Sequence, residues 1–356
     1  MYFIGVGTTA PSTLYTQRQV FEALQSSPQF NQLERHSRTL LRRLLMGDSG
    51  IATRALALDP LEQAFDARPD VLHRRFARHA PRLAQQAAHN AMRDAGRIAG
   101  DIDGVIISTC TGYLCPGLTS YVTEELGLSP DVIALDLVGQ GCGAALPNLR
   151  MSEALLTSRR CDTVLSISVE VCSAAFYIDD DPGVLVSACL FGDGAGAAVL
   201  SREPLAGRVC PQWKAALSYT DPRHRDALRF EQRNGMLRNL LTPEVPELAA
   251  EHAQIVLDRV LAHEGLTRDD IGAWIWHAGG TKVIKALARR IGLQPEQLRW
   301  SAEVLRDFGN VSSACVYFVL EAALKGKAPP GWWWLSSFGA GFSCHGALLK
   351  TSGSDH

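Results

Sequence analysis

Three short apolar runs constrain this chain most, because each is continuous rather than alternating: Gly104-Val-Ile-Ile-Ser-Thr109, Val132-Ile-Ala-Leu-Asp-Leu137 and Thr163-Val-Leu-Ser-Ile-Ser-Val169. A strand apolar on successive residues has both faces buried, which calls for helices above and below its sheet. Helical patterning occurs where that demand places it. Residues 30–46 set Leu33, Leu40, Leu41, Leu44 and Leu45 on one face, with Arg42 and Arg43 off it. Residues 71–96 carry a longer helical pattern with a break expected at Pro81, and 142–158 read as a helix between the second and third strands. The fold class is α/β with a layered sheet.

The second half repeats the theme. Residues 246–265 are helical through Leu248, Ile255, Val256 and Val260. Ala273–Trp276 reads as a strand, followed by Gly279-Gly280 and a helix carrying Val283, Ile284 and Leu287. Residues 312–324 form an apolar helix, and Trp332–Ser336 with Phe342–Leu349 read as a closing pair of strands around Gly339 and Gly341. The stretch 202–245 has mixed composition and reads as a connection that also lines a pocket, and Thr351 to His356 as a polar tail. A length of 356 residues suits two halves sharing one core, divided here as 1–204 and 205–356.

Charge and cysteine usage exclude several classes. A formal net charge of −2 gives no electrostatic case for nucleic acid or an anionic membrane. Six of the 35 basic residues are Lys, the first at Lys214, so an anion site in the first half must use Arg, His or backbone N–H groups. Nine cysteines is an odd number, with no CxxC pair and no histidine partner at zinc-finger spacing. Reduced thiols are therefore expected, with no disulfide framework and no structural metal. Cys161, Cys189 and Cys315 sit in apolar strings and read as small buried hydrophobes. The opening Met1-Tyr-Phe-Ile-Gly-Val-Gly7 lacks a basic n-region, and no stretch reaches the ~20 apolar residues of a membrane span, so a cytoplasmic protein without membrane insertion is expected.

Three segments carry chemistry. In Asp136-Leu-Val-Gly-Gln-Gly-Cys142-Gly-Ala-Ala a strand ends, a glycine turn follows and a helix begins at the cysteine. A thiol at a helix N-terminus meets free N–H groups and the positive dipole end, which favour thiolate. In Trp274-Ile-Trp-His277-Ala-Gly-Gly a histidine ends a strand, and in Phe308-Gly-Asn310-Val-Ser-Ser-Ala an asparagine opens a helix. Each stands where an α/β sheet presents functional side chains. A thiol nucleophile, an imidazole and an amide donor form the set that nucleophilic thiol catalysis needs. Singly, each residue also reads as structural: a buried cysteine, a strand-end histidine, a helix N-cap. A rival dinucleotide fingerprint, Gly139-Gln-Gly141-Cys-Gly-Ala144 with Glu170 at the next strand end, leaves His277 and Asn310 without a role. A Cys/His/Asn hydrolase and a non-catalytic binding protein stay open at this level.

Six strings in order resemble the type III polyketide synthases of the chalcone synthase superfamily, with ketoacyl-carrier-protein synthase III enzymes further off. They are Ser108-Thr-Cys110-Thr-Gly-Tyr-Leu-Cys115-Pro-Gly117, Gln140-Gly-Cys142, Leu190-Phe191-Gly-Asp193-Gly-Ala195, His277-Ala-Gly-Gly280, Gly309-Asn-Val-Ser312-Ser-Ala-Cys315 and Phe338-Gly-Ala-Gly-Phe342. The resemblance implies the thiolase fold: two similar α/β halves in a five-layered α-β-α-β-α core, as a homodimer. It implies iterative decarboxylative condensation of malonyl-CoA onto an acyl thioester, then cyclisation to a pyrone or a resorcinol- or phloroglucinol-type ring, with no cofactor beyond the coenzyme A thioesters. A single-round ketoacyl synthase is the alternative. Cys142 matches the acyl acceptor, and His277 and Asn310 match the pair that stabilises the enolate formed when malonyl-CoA loses CO2.

The remaining site residues follow from the same strings. Phe191 matches an aromatic gatekeeper, and Cys110, Ser312 and Gly280 fall in the segments around the cavity. Cys115 matches a residue reaching into the partner subunit's cavity. Asn239 stands where plant enzymes carry a second Phe gatekeeper, and Ala175 where they often carry Thr. Both are shorter, which implies a larger cavity and a long or bulky starter. The basic residues that plant enzymes use for coenzyme A phosphates are not reproduced position for position. Arg42, Arg43 and Arg54 are the nearby substitutes, and the starter donor is acyl-CoA or an acyl carrier protein.

Overall fold

The computed structural model describes residues 1–352; of the polar tail expected from Thr351 onward, 353–356 lie outside them. The elements run β1 (Tyr2–Thr9), β2 (Leu14–Thr16), α1 (Gln17–Gln25), α2 (Pro28–Gln32), α3 (Arg35–Met46), β3 (Thr53–Ala55), α4 (Pro69–Ala95) and β4 (Gly104–Ser108). Then follow α5 (Leu118–Leu126), β5 (Ile133–Leu137), α6 (Ala145–Thr157), β6 (Thr163–Glu170), α7 (Pro182–Leu190) and β7 (Gly194–Ser201). The second half contains β8 (Gln212–Thr220), β9 (Leu228–Arg233), β10 (Met236–Leu241), α8 (Val245–Glu264), β11 (Ile271–Trp276) and α9 (Thr281–Ile291). It closes with α10 (Arg299–Phe308), α11 (Cys315–Lys325), β12 (Gly331–Gly339) and β13 (Ser343–Thr351).

Nine strands are continuous in the order β11-β12-β13-β8-β1-β7-β6-β4-β5, and a single residue pair, Tyr2 with Gln212, joins β1 to β8. That pair divides the strands into two sheet halves, and their packing gives the layers. On the outside of the first half, Ala84, Ala87 and Ala91 of α4 and Val122 of α5 bury Val105, Ile107, Leu165 and Ile167. On the outside of the second, Val256 and Leu257 of α8 and Leu287 of α9 bury Trp274, Trp276, Trp334 and Leu348. Between the halves lie α6 and α11, whose Leu146, Leu149, Val316 and Leu320 meet Ile106, Val164 and Leu200 from one side and Ile275, Leu335 and Ala347 from the other. This is the α-β-α-β-α order of the thiolase fold. The central helices are apolar nearly all round because both of their sides are covered.

Several local expectations are corrected. The pattern at 30–46 is two helices, since Leu33 is extended and Glu34 precedes α3, although Leu33, Leu41 and Leu45 still share a buried face. Helix α4 runs through Pro81 unbroken; the carbonyl that loses its bond belongs to Ala77, which is half-exposed and so within reach of water. The 202–245 connection contains β8, paired along its length with β13, and the β9–β10 hairpin. That hairpin turns at Asn234-Gly235, both at positive φ (54° and 76°), the geometry of a tight primed turn.

Candidate active site

The two central helices point their N-terminal ends at one place. Cys142 stands in a single 3-10 turn, Gly141–Gly143, immediately before α6. Gly141 has φ +58°, and a Cβ there would lie 2.8 Å from the backbone nitrogen of Ala340, so only glycine lets the β12–β13 turn close against the cysteine loop. From the other half, the turn Ser312–Ala314 leads into α11. The Ser312 hydroxyl donates to Cys142 Sγ at 3.2 Å. Ser312 holds a left-handed φ of +51°, a conformation that costs a non-glycine residue on the order of 1–3 kcal/mol and persists only where surroundings enforce it.

The same turn sets Asn310. The Ser312 N–H donates to Asn310 Oδ1 at 2.8 Å, which fixes the amide; Nδ2 donates to the Gly279 carbonyl at 3.4 Å and retains a second N–H. His277 follows β11, its N–H bonded to Ser336 O at 2.9 Å and its ring edge-on to Phe338 at 5.2 Å. His277 and Cys142 are both buried, and each acts on the charge of the other.

Electrostatics favour an ion pair. The neighbouring Cys110 thiol pulls the Cys142 thiol well below its ordinary range; burial opposes this, and His277 and Ser312 add to the lowering. Burial pulls the His277 imidazole down, but the sulfurs of Cys315 and Cys142 outweigh it and raise it to about 10. The neutral-pH form is therefore Cys142 thiolate beside His277 imidazolium.

A buried carboxylate that sequence reasoning did not assign to the site lies beneath. Glu170 ends β6 and accepts from Thr111 Oγ1 at 2.9 Å, the Cys110 N–H at 3.1 Å and Ser313 Oγ, with Ser312 Oγ, whose proton goes to Cys142, 3.4 Å away. Burial raises its pKa against those donors. Cys110 Sγ lies 3.3 Å from both Glu170 Oε1 and Ser312 Oγ, so it connects Glu170 to the nucleophile.

Phe191 follows α7 and is buried against Cys142 and Cys172. Phe191 forms an isolated parallel bridge with Asn310, through Asn310 N–H to Leu190 O and Gly192 N–H to Asn310 O, both at 3.0 Å. Gly280, at φ +135°, caps α9 with Leu190 Cδ1 3.4 Å from where a Cβ would stand. A cavity of about 550 Å3 runs outward from Cys110, Thr111 and Gly141 past Phe76, Ala174 and Phe230. Asn239 lies opposite Phe230 in the β9–β10 ribbon, on the face whose Leu241 reaches the Cys142 cluster. Ala175 is half-buried next to cavity-lining Ala174.

The charged and outer residues separate. Cys115 is exposed, and Arg42 and Arg43 stand exposed on α3. Arg54 is a correction: it is fully buried, and its guanidinium donates to Gln17 Oε1 (3.0 Å), Ala188 O (2.6 Å) and Phe191 O (3.0 Å). It buttresses the Phe191 crossing and has no path to a coenzyme A phosphate.

Comparison with known proteins agrees with this geometry. The family models "Chalcone and stilbene synthases, N-terminal domain" and "C-terminal domain" match residues 5–204 and 222–352. A 3,5-dihydroxyphenylacetyl-CoA synthase of Streptomyces toyocaensis is 31% identical, over 98% of this chain and 89% of its own. A 1,3,6,8-tetrahydroxynaphthalene synthase of Streptomyces peucetius subsp. caesius is 34% identical over 88% of this chain and 84% of its own. Among solved structures, PKS-I of the brown alga Ectocarpus siliculosus superposes with a TM-score of 0.89 at 25% identity, covering 98% of both chains. The 1,3,6,8-tetrahydroxynaphthalene synthase of Streptomyces coelicolor A3(2) gives a TM-score of 0.88 at 23% identity, over 99% of this chain and 100% of that one.

Proposed function

We propose, for a chain that belongs to the chalcone and stilbene synthase family and is an iterative decarboxylating acyltransferase of the type III polyketide synthase class, that Cys142 carries the growing acyl chain while His277 and Asn310 act on malonyl-CoA. The observation that supports this division is the Asn310 amide, held by the Ser312 N–H at 2.8 Å so that its NH2, which gives one hydrogen to the Gly279 carbonyl at 3.4 Å, keeps a second in the buried site of Cys142 and His277.

The steps follow from charge. The Cys142 thiolate attacks the starter thioester, and the released thiol takes a proton. The malonyl thioester oxygen then rests against His277 Nε2–H and Asn310 Nδ2–H. Loss of CO2 puts negative charge on that oxygen, where the two donors stabilise it, so no catalytic carboxylate and no cofactor is needed. The enolate carbon attacks the acyl-Cys142 carbonyl, and the lengthened chain returns to Cys142. Single-round initiation loses its support with the family assignment.

The finer reading has a large starter, cytoplasmic location and a homodimer. Ala175, beside cavity-lining Ala174, and Asn239, paired with cavity-lining Phe230, are short side chains behind the cavity wall and support the first. Supporting the last, the exposed Tyr113 and Val138 flank the cavity mouth near exposed Cys115. Among the described residues no helix is long and apolar enough to cross a membrane. Incubation with labelled malonyl-CoA alone, and with short, aromatic and long acyl-CoA starters, tests the assignment by product mass. Absence of any multiply extended product across the panel would overturn it.

A further inference from the structure

We propose that the arginine face of α3 and the lysine edge of α9 form a docking surface for a small acidic carrier protein that delivers the starter on a pantetheine arm. The proposal rests on Cys142 being the acyl acceptor.

The charges are concentrated and uncompensated. Helix α3 carries Arg35, Arg38, Arg42 and Arg43 and no acidic residue, and α9 presents Lys282 and Lys285. All but Arg38, which is partly covered, are exposed. Among the described residues none of these six forms an ion pair; the one pair on α3 is His36 with Glu34. Nearby Asp180 is turned to the Glu34 N–H, and Asp179 and Asp181 are taken by Arg238. In a chain of net charge −2 such a cluster creates a local positive field.

The two helices flank one edge of the active site. Ser49, in the loop after α3, accepts the Thr281 hydroxyl at 2.5 Å, which ties that loop to the first turn of α9. Helix α9 starts just after His277-Ala-Gly-Gly280, and Gly279 is the partly open residue of that string. On its inner side α3 buries Leu41 and Leu45 against Leu185 and Cys189 of α7, whose end leads to Phe191 beside Cys142.

Cys142 is 4% exposed, so an acyl group must arrive on a long slender arm while the bulk of its donor stays outside. Coenzyme A and carrier proteins share that arm and differ in the body. The cationic row on α3 spans eight residue steps, about 12 Å of helix, and α9 widens it further. A nucleotide's phosphates need two or three cations; a row of this length matches the acidic face of a protein. In the transfer, the Cys142–acyl thioester bond forms as the pantetheine–acyl thioester bond breaks, and the pantetheine sulfur leaves as a thiol, so nothing is oxidised or reduced.

The test uses the whole enzyme and intact-protein mass spectrometry of Cys142 acylation. One donor is octanoyl-loaded bacterial acyl carrier protein and the other octanoyl-CoA. Expected for the wild type is faster loading from the carrier than from CoA at equal concentration, falling steeply as salt rises. The triple variant Arg35→Glu, Arg38→Glu, Lys285→Glu should lose tenfold or more in kcat/KM for the carrier, through KM, with octanoyl-CoA and malonyl-CoA within twofold of wild type. Wild-type loading from CoA alone, or equal losses with both donors in a variant of unchanged Tm, would overturn the proposal. Polyketide formation from acyl-CoA in that outcome would leave the proposed function standing.

Discussion

The hydroxyl of Ser312 lies 3.2 Å from the sulfur of Cys142 and donates to it, although the two residues come from opposite halves of the chain. A hydrogen bond to a charged group contributes roughly 1.5–3 kcal/mol, so Ser312→Ala should raise the Cys142 thiol pKa by about one to two units. The pH profile of iodoacetamide alkylation at Cys142 measures this. An unchanged profile would mean the hydroxyl does not stabilise the thiolate.

His277 is raised to about 10 while Cys142 is held well below the ordinary thiol range, so the ion pair of thiolate and imidazolium is present at neutral pH. Deprotonation of His277 dissolves it as pH rises through about 10, and protonation of Cys142 dissolves it in acid. Alkylation of Cys142 should therefore persist to lower pH than alkylation of the exposed thiol Cys115. The part of stability due to His277 is fully present below its unfolded value of 6.5 and is lost as pH climbs through about 10. In His277→Ala, half-maximal alkylation should move toward alkaline pH.

Asn310→Ala removes one of two donors to the enolate oxygen. Malonyl-CoA decarboxylation, followed as CO2 release, should fall on the order of 10²–10³-fold. Acylation of Cys142 by a starter thioester should continue within a few-fold. Parallel loss of both would show that Asn310 supports the nucleophile instead.

At Gly309, φ is +71°, and a Cβ would meet Arg54 Cγ and Leu190 O at 2.9 Å. Gly309→Ala should destabilise by roughly 1–3 kcal/mol or more from backbone strain and the clash. Arg54→Ala should also lower Tm, since the carbonyls of Ala188 and Phe191 lose their donor, while KM for CoA thioesters stays unchanged. A selective rise in KM would restore Arg54 to coenzyme A binding.

Strands β4 and β6 were legible, burial included, because continuous β-branched runs have few other uses. Strand β5 was legible as a strand but not as buried on both faces, since at the sheet edge its Ala134 and Asp136 are exposed. Cys142, His277 and Asn310 were legible because each stands next to a glycine turn. Strand β7 was not. Its Gly194-Ala-Gly-Ala-Ala-Val-Leu-Ser has weak strand preference, and its small residues reflect the close approach of Tyr317, whose Cβ a side chain at Gly196 would strike. The Asn234-Gly235 turn carried a hairpin signal, masked by the charged residues of β9. Glu170 was visible only as the last residue of an apolar strand. The hydroxyls of Thr111 and Ser313, which make its burial tolerable, are distant in sequence and adjacent only once folded.

The Tyr2–Gln212 pair is the sole ladder contact across the middle of the nine strands, yet the reacting groups straddle that line. Each half is thus a lever arm for one partner in the chemistry, Cys142 on one and His277 with Asn310 on the other. The core of α6 and α11 spans that line, so a shift of one half against the other changes the gap between nucleophile and enolate together with the packing of that core. A chain severed between β7 and β8 should keep much of its helicity and lose turnover altogether until the fragments reassociate.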